Sequence, residues 1–418
     1  MIGSKSRYHP PVPRARSLLF VLVLALCVPT LVPASAATAA TGTRTPPKWI
    51  QRIETVVGDR PVSVAIGQDG NPWFHHLAWV GRAPASNEKL LLSMALFDRF
   101  APARTIWTSA MAAAAPDHGV VSGDLWLVGH GDPELDDRDL IALAQEVADA
   151  GVTRIRGAVI GATGPFRRDW WATGWKDYFP ADYVARPTAL TFRRNTDATG
   201  RHLVDPERRA AMVLTKRLES LGVRVHGEAD MGPAPGGLTT LARIASAPLQ
   251  GIVRRMDVDS RNLWAEVLGK YLGAAAYGKG TIANGARAVC AFTAAHGLSS
   301  TCYDGSGLSY ANRETADGML QLLWLADSEP WGLTLRASLP AGGQGTLEDR
   351  LTDVRLRAKT GTLDNVSALS GWVWLERSGT WAEFSILSSG FDEYEAKKIE
   401  NQIVRVVSAN ASDPTPSA

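Results

Sequence analysis

The sequence predicts an α/β protein of the α+β type, on three observations. Strand-like alternation lies near both ends: Val62–Ile66 and His76–Val80 early, then Arg355–Lys359, Ala368–Leu375 and Trp381–Leu387 late. Helical periodicity fills the neighbouring stretches at 84–96 and 248–271. Between them, residues 102–240 alternate short strands with amphipathic helices, the texture of a unit inserted into a larger fold.

The elements follow in order. Lys5, Arg7, Arg14 and Arg16 form a basic start, Leu18–Val32 is apolar, and Ala34-Ser35-Ala36 fits a small-residue cleavage site. Pro29 interrupts the apolar run, which is shorter than the roughly 20 residues of a spanning helix. Residues 1–36 therefore read as a signal peptide, the competing reading being a retained anchor, and 37–47 as a flexible leader. The turn Gly67–Asn71 separates the first two strands. Pro84-Ala85 then leads into a helix with an apolar face of Leu90, Leu91, Met94, Ala95 and Leu96. Ser86 falls at its N-terminal end, where the helix dipole favours negative charge. In the inserted unit, Gly123–Val128 and Ile155–Ile160 read as strands, and Asp139–Ala150 and Pro206–Leu221 as helices. A helix near Pro248–Met256 runs into a turn at Ser260, and the next helix carries Trp264, Val267, Leu268 and Tyr271. The polar end of the chain predicts a disordered tail over 409–418.

Of 44 Lys and Arg, four lie in the signal and no acidic residue does, leaving 40 against 42 Asp and Glu in the remainder. That near balance carries no nucleic-acid footprint. No second long apolar run exists, so no integral membrane span is expected after the signal. Cys27 belongs to the signal and sits in a poor lipoprotein context, because Leu26 is bulky where a small residue is expected. Cys290 and Cys302 remain, and in an exported chain one disulfide is expected, the alternative being two buried thiols.

Three short motifs carry the chemistry: Ser86-Asn87-Glu88-Lys89, Ser260-Arg261-Asn262 and Lys359-Thr360-Gly361. Each alone is weak, but their order matches the set that builds an active-site serine acyltransferase. On a helix, Lys89 lies one turn from Ser86, within reach of its hydroxyl. A serine needs a base to take its proton, and a lysine serves once burial or nearby cations lower its pKa. Ser260 can pass a proton to a leaving group, and Asn262 can orient substrate and lysine. Lys359 and Thr360, at a strand end, offer a cation and a hydroxyl to a substrate carboxylate, and Gly361 would let an extended peptide approach the backbone. The backbone N–H groups of Ser86 and Thr362 can form an oxyanion hole.

Other clusters are weaker. His130, Asp132, Asp136 and Asp137 match no metal-ligand spacing, and His75-His76 has no partner motif. Trp170, Trp171 and Trp175 fit core packing or a loop clamp better than a sugar-binding surface. Gly342, Gly343 and Gly345 precede no phosphate-binding lysine.

The chain resembles the D-alanyl-D-alanine carboxypeptidase/endopeptidase family of low-molecular-mass penicillin-binding proteins, the type with an insertion between the first two motifs. The likeness extends beyond the motifs to Pro84–Leu91, LWLVGHGDPELDDRDLIALAQ at 125–145, Ala185–Leu190, DGSGLSYANR at 304–313 and LRAKTGTLDNVSALSGWV at 356–373. It implies a serine β-lactamase/penicillin-binding transpeptidase-like domain, an antiparallel sheet flanked by helices, from 48–101 plus 241–408, interrupted by an inserted α/β subdomain over 102–240. The implied reaction is hydrolysis of D-Ala-D-Ala termini or D-amino-acid cross-links of peptidoglycan through an acyl-enzyme, with β-lactams as inhibitors. The implied catalytic residues are Ser86, Lys89, Ser260, Asn262 and Lys359, with Thr360, Gly361 and Thr362 binding substrate. No metal or other cofactor is implied, and the location is periplasmic or extracellular, at the cell wall. Arg261, Tyr310 and Ala162 depart from the family's pattern, the last two at positions associated with reading the stem-peptide side chain. The stretch between Asn195 and Pro206 is short for the family. A wall-associated scaffold of weak activity, or a β-lactamase or esterase, are the alternative readings.

Overall fold

The computed structural model describes residues 46–412 and 414. The expected signal at 1–36, and the expected leader apart from Pro46 and Pro47, lie outside the described residues.

In α1 (Lys48–Val57), Trp49, Ile50, Ile53 and Val57 form one buried stripe. β1 (Val62–Gln68) and β2 (Asn71–His76) make a hairpin closed at Asp69 and Gly70, both at positive φ. The second strand starts at that turn, so His76–Val80 is not the strand the alternation predicted. Leu77 lies at φ 46°, Val80 N donates to Leu77 O (3.0 Å), and Leu77, Trp79 and Val80 are exposed. A 3-10 turn at Ala85–Asn87 leads into α2 (Glu88–Arg99), with nearly every residue buried.

The middle of the chain holds β3 (Trp107–Ala112), β4 (Val120–Val121), β5 (Leu125–Gly129), α3 (Asp137–Asp149), β6 (Arg154–Ile155) and β7 (Val159–Ala162). It continues through α4 (Phe179–Asp182), α5 (Pro206–Ser220), β8 (Arg224–Val225), β9 (Asp230–Gly232) and β10 (Thr239–Ala245). These strands make a mixed sheet of order β10-β3-β5-β7-β9 and a small parallel one of order β4-β6-β8. Leu140, Leu143 and Val147 of α3 and Leu214 and Leu218 of α5 pack on Leu125, Leu127 and Val159. The strand predicted over 155–160 is split into β6 and β7. A Cβ on Gly157 would lie 2.2 Å from Asp124 Oδ1, and that same oxygen accepts from Ala158 N (2.8 Å).

The rest is α6 (Leu249–Asp259), α7 (Asn262–Tyr277), α8 (Ile282–Ala295), α9 (Ala316–Ser328), α10 (Gly332–Ser338), β11 (Leu356–Leu363), β12 (Val366–Leu375), β13 (Thr380–Ser389) and α11 (Glu393–Asn410). β1 and β2 join the three late strands in one antiparallel sheet of order β11-β12-β13-β1-β2. Strand alternation gives it two apolar faces. Val64, Ile66, Leu369, Phe384 and Ile386 meet α1 and α11, while Ala65, Ala368 and Leu387 meet Ala316 and Leu320 of α9. The antiparallel sheet flanked by helices is thus the observed fold, and β11 and β2 are its two edge strands. The final helix runs through Asn410 and Ala411 is buried, so the chain stays folded past residue 408, where the tail was expected to begin. Residues 413 and 415–418 lie outside the described residues. No described helix is long and apolar enough to cross a membrane.

Cys290 and Cys302 are disulfide-bonded across a separation of 12 residues. Replacing both with serine is expected to cost about 2–3 kcal/mol, the loop-closure entropy of so short a loop. Urea unfolding reads this as a lowered midpoint; an unmoved midpoint would show that the bridge adds no stability.

Candidate active site

Ala85 takes a left-handed φ of 45° and starts the 3-10 turn that holds Ser86 half-buried ahead of α2. One turn on, fully buried Lys89 donates from Nζ to Ser86 Oγ (2.9 Å), to Asn262 Oδ1 (2.8 Å) and to the Ser306 carbonyl. Asn262 reaches this point because α6 and α7 meet at a sharp corner, with Ser260 in left-handed conformation (φ 54°, ψ 45°) closing α6. Lys359, on the edge strand, donates to Ser260 Oγ (3.0 Å) and to the Thr360 carbonyl (2.9 Å). The five expected side chains therefore converge in two bonded groups: Ser86, Lys89 and Asn262, and Ser260 with Lys359.

Burial sets the charge state of both lysines. Desolvation lowers the Lys89 pKa to about 8, against the opposing pull of Asp304, Glu266, Asp257 and Glu88. Burial also lowers Lys359, helped by the charge of Lys89 and opposed by Asp257. Lys359 is fully buried, and its amine reaches the cleft through the Ser260 hydroxyl.

Gly361 has a further reason to be glycine. Its missing side chain makes room for the serine's own turn: a Cβ would lie 2.6 Å from the Pro84 carbonyl and 3.1 Å from Ala85 Cβ. The backbone edge, by contrast, is open beside the serine. Ala358 N donates away from β12, to Pro340 O (3.1 Å). By the two-residue period of a strand, Thr360 and Thr362 turn their N–H and C=O groups to that same side, where the Thr360 carbonyl accepts from Lys359 Nζ.

Several supporting residues were not foreseen. Asp304 accepts from Gly307 N (3.0 Å), Ser309 N (2.9 Å), Asn312 Nδ2 (2.8 Å) and Trp175 Nε1 (2.6 Å). Glu266 accepts from Ser306 N (2.7 Å) and Gly305 N (3.1 Å). Together they hold the turn whose Ser306 carbonyl meets Lys89. Asp257 accepts from Ser93 Oγ (2.9 Å) and Ser338 Oγ (3.2 Å), and burial raises its pKa. Glu266 had a readable signal: it follows Asn262 by four residues on one helix face. Asp304 opens the DGSGLSYANR segment of the family likeness, whereas Asp257 carried no signal.

The cleft in front of Ser86 has a volume of about 410 Å³. Tyr178, Phe179, Tyr183 and Tyr310 line one side, and Thr346, Arg350, Thr360 and Thr362 are also in its wall. Tyr310 Oη accepts from Asp364 N (3.1 Å), and Lys176, ion-paired with Asp364, sits 5.0 Å from the Tyr310 ring centre. Arg261 points elsewhere, pairing with Asp259 and stacking on Trp264 (4.5 Å). Ala162 is buried in β7. Trp175 is core, Trp170 stacks with Arg168, Arg186 and Lys270, Trp171 is exposed, and none lines the cleft. Among the described residues no His, Cys, Asp and Glu group is placed to hold a metal ion. Asp136 instead caps α3, and His75 pairs with Asp317 (3.1 Å).

The model of the D-Ala-D-Ala carboxypeptidase 3 (S13) family matches residues 62–200 and 193–410. A D-alanyl-D-alanine carboxypeptidase of Actinomadura sp. (strain R39) is 30% identical over 401 residues, 73% of each chain. A carboxypeptidase DacB of Mycolicibacterium smegmatis is 32% identical over 59% of this chain and 56% of its own. Penicillin-binding protein 4 (dacB) of Haemophilus influenzae superposes with a TM-score of 0.74 at 18% identity, covering 85% of this chain and 99% of that one. It is also known in complex with a β-lactam, with a TM-score of 0.67 at 18% identity over 85% and 98% of the two chains. The chain belongs to the D-Ala-D-Ala carboxypeptidase 3 (S13) family and is a serine-type D,D-peptidase.

Proposed function

We propose that Ser86 is the nucleophile of this peptidase and that Lys89, in its neutral form, takes the Ser86 proton. Ser86 Oγ then attacks the carbonyl carbon of the penultimate D-Ala. The resulting oxyanion is received by the backbone N–H groups of Ser86 and Thr362, the latter on the open edge of β11. Ser260, kept in place by Lys359, passes its proton to the departing amine and regains one from Lys89, the proton taken from Ser86, leaving Lys89 neutral again for deacylation. Asn262 orients Lys89, and Thr360, Gly361 and Thr362 hold the substrate backbone. The C–N bond breaks, the amine leaves, and water hydrolyses the acyl-Ser86 ester to restore the enzyme. The observation that carries this reading is the buried Lys89 amine on Ser86 Oγ, with its pKa lowered to about 8.

The substrates we propose are D-Ala-D-Ala ends and D-amino-acid cross-links of peptidoglycan stem peptides, with β-lactams trapping the acyl-enzyme. The protein would work outside the cytoplasm, at the wall. The separate sheet built by residues 107–245 supports an inserted subdomain.

Incubation with a fluorescent penicillin, then intact mass and peptide mapping, tests the chemistry. A stable adduct on Ser86, absent from Ser86→Ala, is expected. Rapid drug turnover without an adduct would favour a β-lactamase; neither adduct nor turnover from folded protein would sink the catalytic reading.

A further inference from the structure

The reaction leaves one charge without a partner. A D-Ala-D-Ala end carries a free carboxylate, and a carboxylate held in a cleft needs a cation or several donors around it. Lys359, the cation expected for it, is fully buried and spends its bonds on Ser260 and the Thr360 carbonyl.

Arg350 stands in the cleft wall with Thr346, Thr360 and Thr362. It is pinned from behind. Its Nε donates to Asn401 Oδ1 (3.1 Å), and its Nη2 to Glu400 Oε2 (2.7 Å) and Asn401 Oδ1 (2.9 Å). Buried Glu400 is itself fixed by Ser367 Oγ (2.6 Å), a residue of the strand next to β11. Among the described residues Nη1 has no hydrogen-bond partner, so a guanidinium braced through Nε and Nη2 keeps one donor pair unspent on a residue of the cleft wall. Thr360 Oγ1, bonded to Thr346 Oγ1 (2.7 Å), lies in the same wall.

The other charges of that wall have contacts of their own. Asp364 is paired with Lys176, and Glu393 lies at Asn365 N (3.4 Å). Lys397, a flexible amine, rests 5.2 Å from the Tyr394 ring centre. A planar, pre-positioned guanidinium suits a carboxylate better than a swinging ammonium.

We propose that Arg350 is a specificity-determining residue that binds the free α-carboxylate of the leaving D-residue, together with the Thr360 and Thr362 hydroxyls. This rests on the serine-peptidase reading for the position of the scissile bond. It predicts a preference for uncapped peptide ends over amidated ones.

The test uses binding, so that it does not depend on turnover. An N-acyl-D-Ala-D-Ala peptide and its C-terminal carboxamide are titrated by calorimetry into the full mature protein carrying Ser86→Ala. The free acid is expected to bind on the order of tenfold to a hundredfold tighter, the range for a charge-assisted hydrogen bond. Adding Arg350→Gln is expected to erase that ratio, and Arg350→Lys to restore part of it. A ratio that survives Arg350→Gln, or no acid preference at all, overturns the proposal. Equal weakening of acid and amide, whether from lost folding or lost packing at Glu400, overturns it too, because a carboxylate reader must change the ratio. Failure of the serine reading shows separately, as absence of the penicillin adduct on wild-type Ser86 while the acid preference stands.

Discussion

Replacing Lys89 with methionine is expected to slow acylation of Ser86 by penicillin about 10²–10⁴-fold, the range in which a positioned proton acceptor contributes. Methionine keeps an unbranched side chain in a site with no exposed surface, so the loss reports the amine. Three neighbours lose a donor at once: Ser86 Oγ, Asn262 Oδ1 and the Ser306 carbonyl. The pH profile separates base from scaffold. Only the neutral amine accepts a proton, so the wild-type acylation rate should rise with pH and level off near the Lys89 pKa of about 8, well below an ordinary lysine. Lys89→Arg supplies hydrogen bonds but remains charged throughout, and should be about as slow as Lys89→Met with no such rise. Stopped-flow acylation between pH 6 and 10, with circular dichroism to confirm folding, makes the measurement. Near-wild-type rates from Lys89→Arg would refute a proton-accepting role.

That lysine also shows where a sequence can be read and where it stops. The spacing of Ser86 and Lys89 on one helix fixes their contact, because a helix turn is local geometry. The corner at Ser260 and the edge position of Lys359 follow from local signals as well: a polar break between two helical patterns, and a motif at the end of a strand. What is not local was not legible. Apart from the adjacent Glu88, the acidic surroundings of Lys89 come from α6, α7 and the 304–309 turn, which only tertiary packing brings together. Gly361 illustrates the same limit. A glycine in a strand signals close approach by something, but the sequence does not say whether substrate or the Pro84 carbonyl is the visitor. Arg350 carried no motif, and its significance rests on Glu400 and Asn401, about fifty positions along the chain. The strand misplaced at His76–Val80 failed for a simpler reason. Alternation of apolar and polar residues also arises in a turn that exposes Leu77 and Trp79 on either side of buried Ala78.

Gly307→Ala is expected to damage the site as deeply as loss of the lysine, through shape alone. Gly307 sits at φ 80°, and a Cβ there would lie 1.9 Å from the Ala85 carbonyl oxygen and 3.0 Å from Ser86 N. Both neighbours are backbone of the nucleophile's turn, so no side chain can swing aside. The 304–307 turn cannot yield freely either, since Asp304 and Glu266 hold it through backbone donors at Gly305, Ser306 and Gly307. Relief must therefore come from moving Ala85-Ser86, Ser306 or both, which breaks the bond between Lys89 and the Ser306 carbonyl and shifts the Ser86 N–H. The cost in stability should be about 2–4 kcal/mol, from overpacking plus the strain of a left-handed alanine. Acylation should fall by about a hundredfold or more, as misplacement of a reacting group by an ångström does. Gly297→Ala is the matched control: its φ is 79°, yet nothing lies within 4 Å of its Cβ position. It carries the backbone strain without the collision, and should cost about 1 kcal/mol while leaving acylation unchanged. Equal losses in the two variants, by urea unfolding and acylation rate, would mean that left-handed strain and not contact with the serine turn governs Gly307.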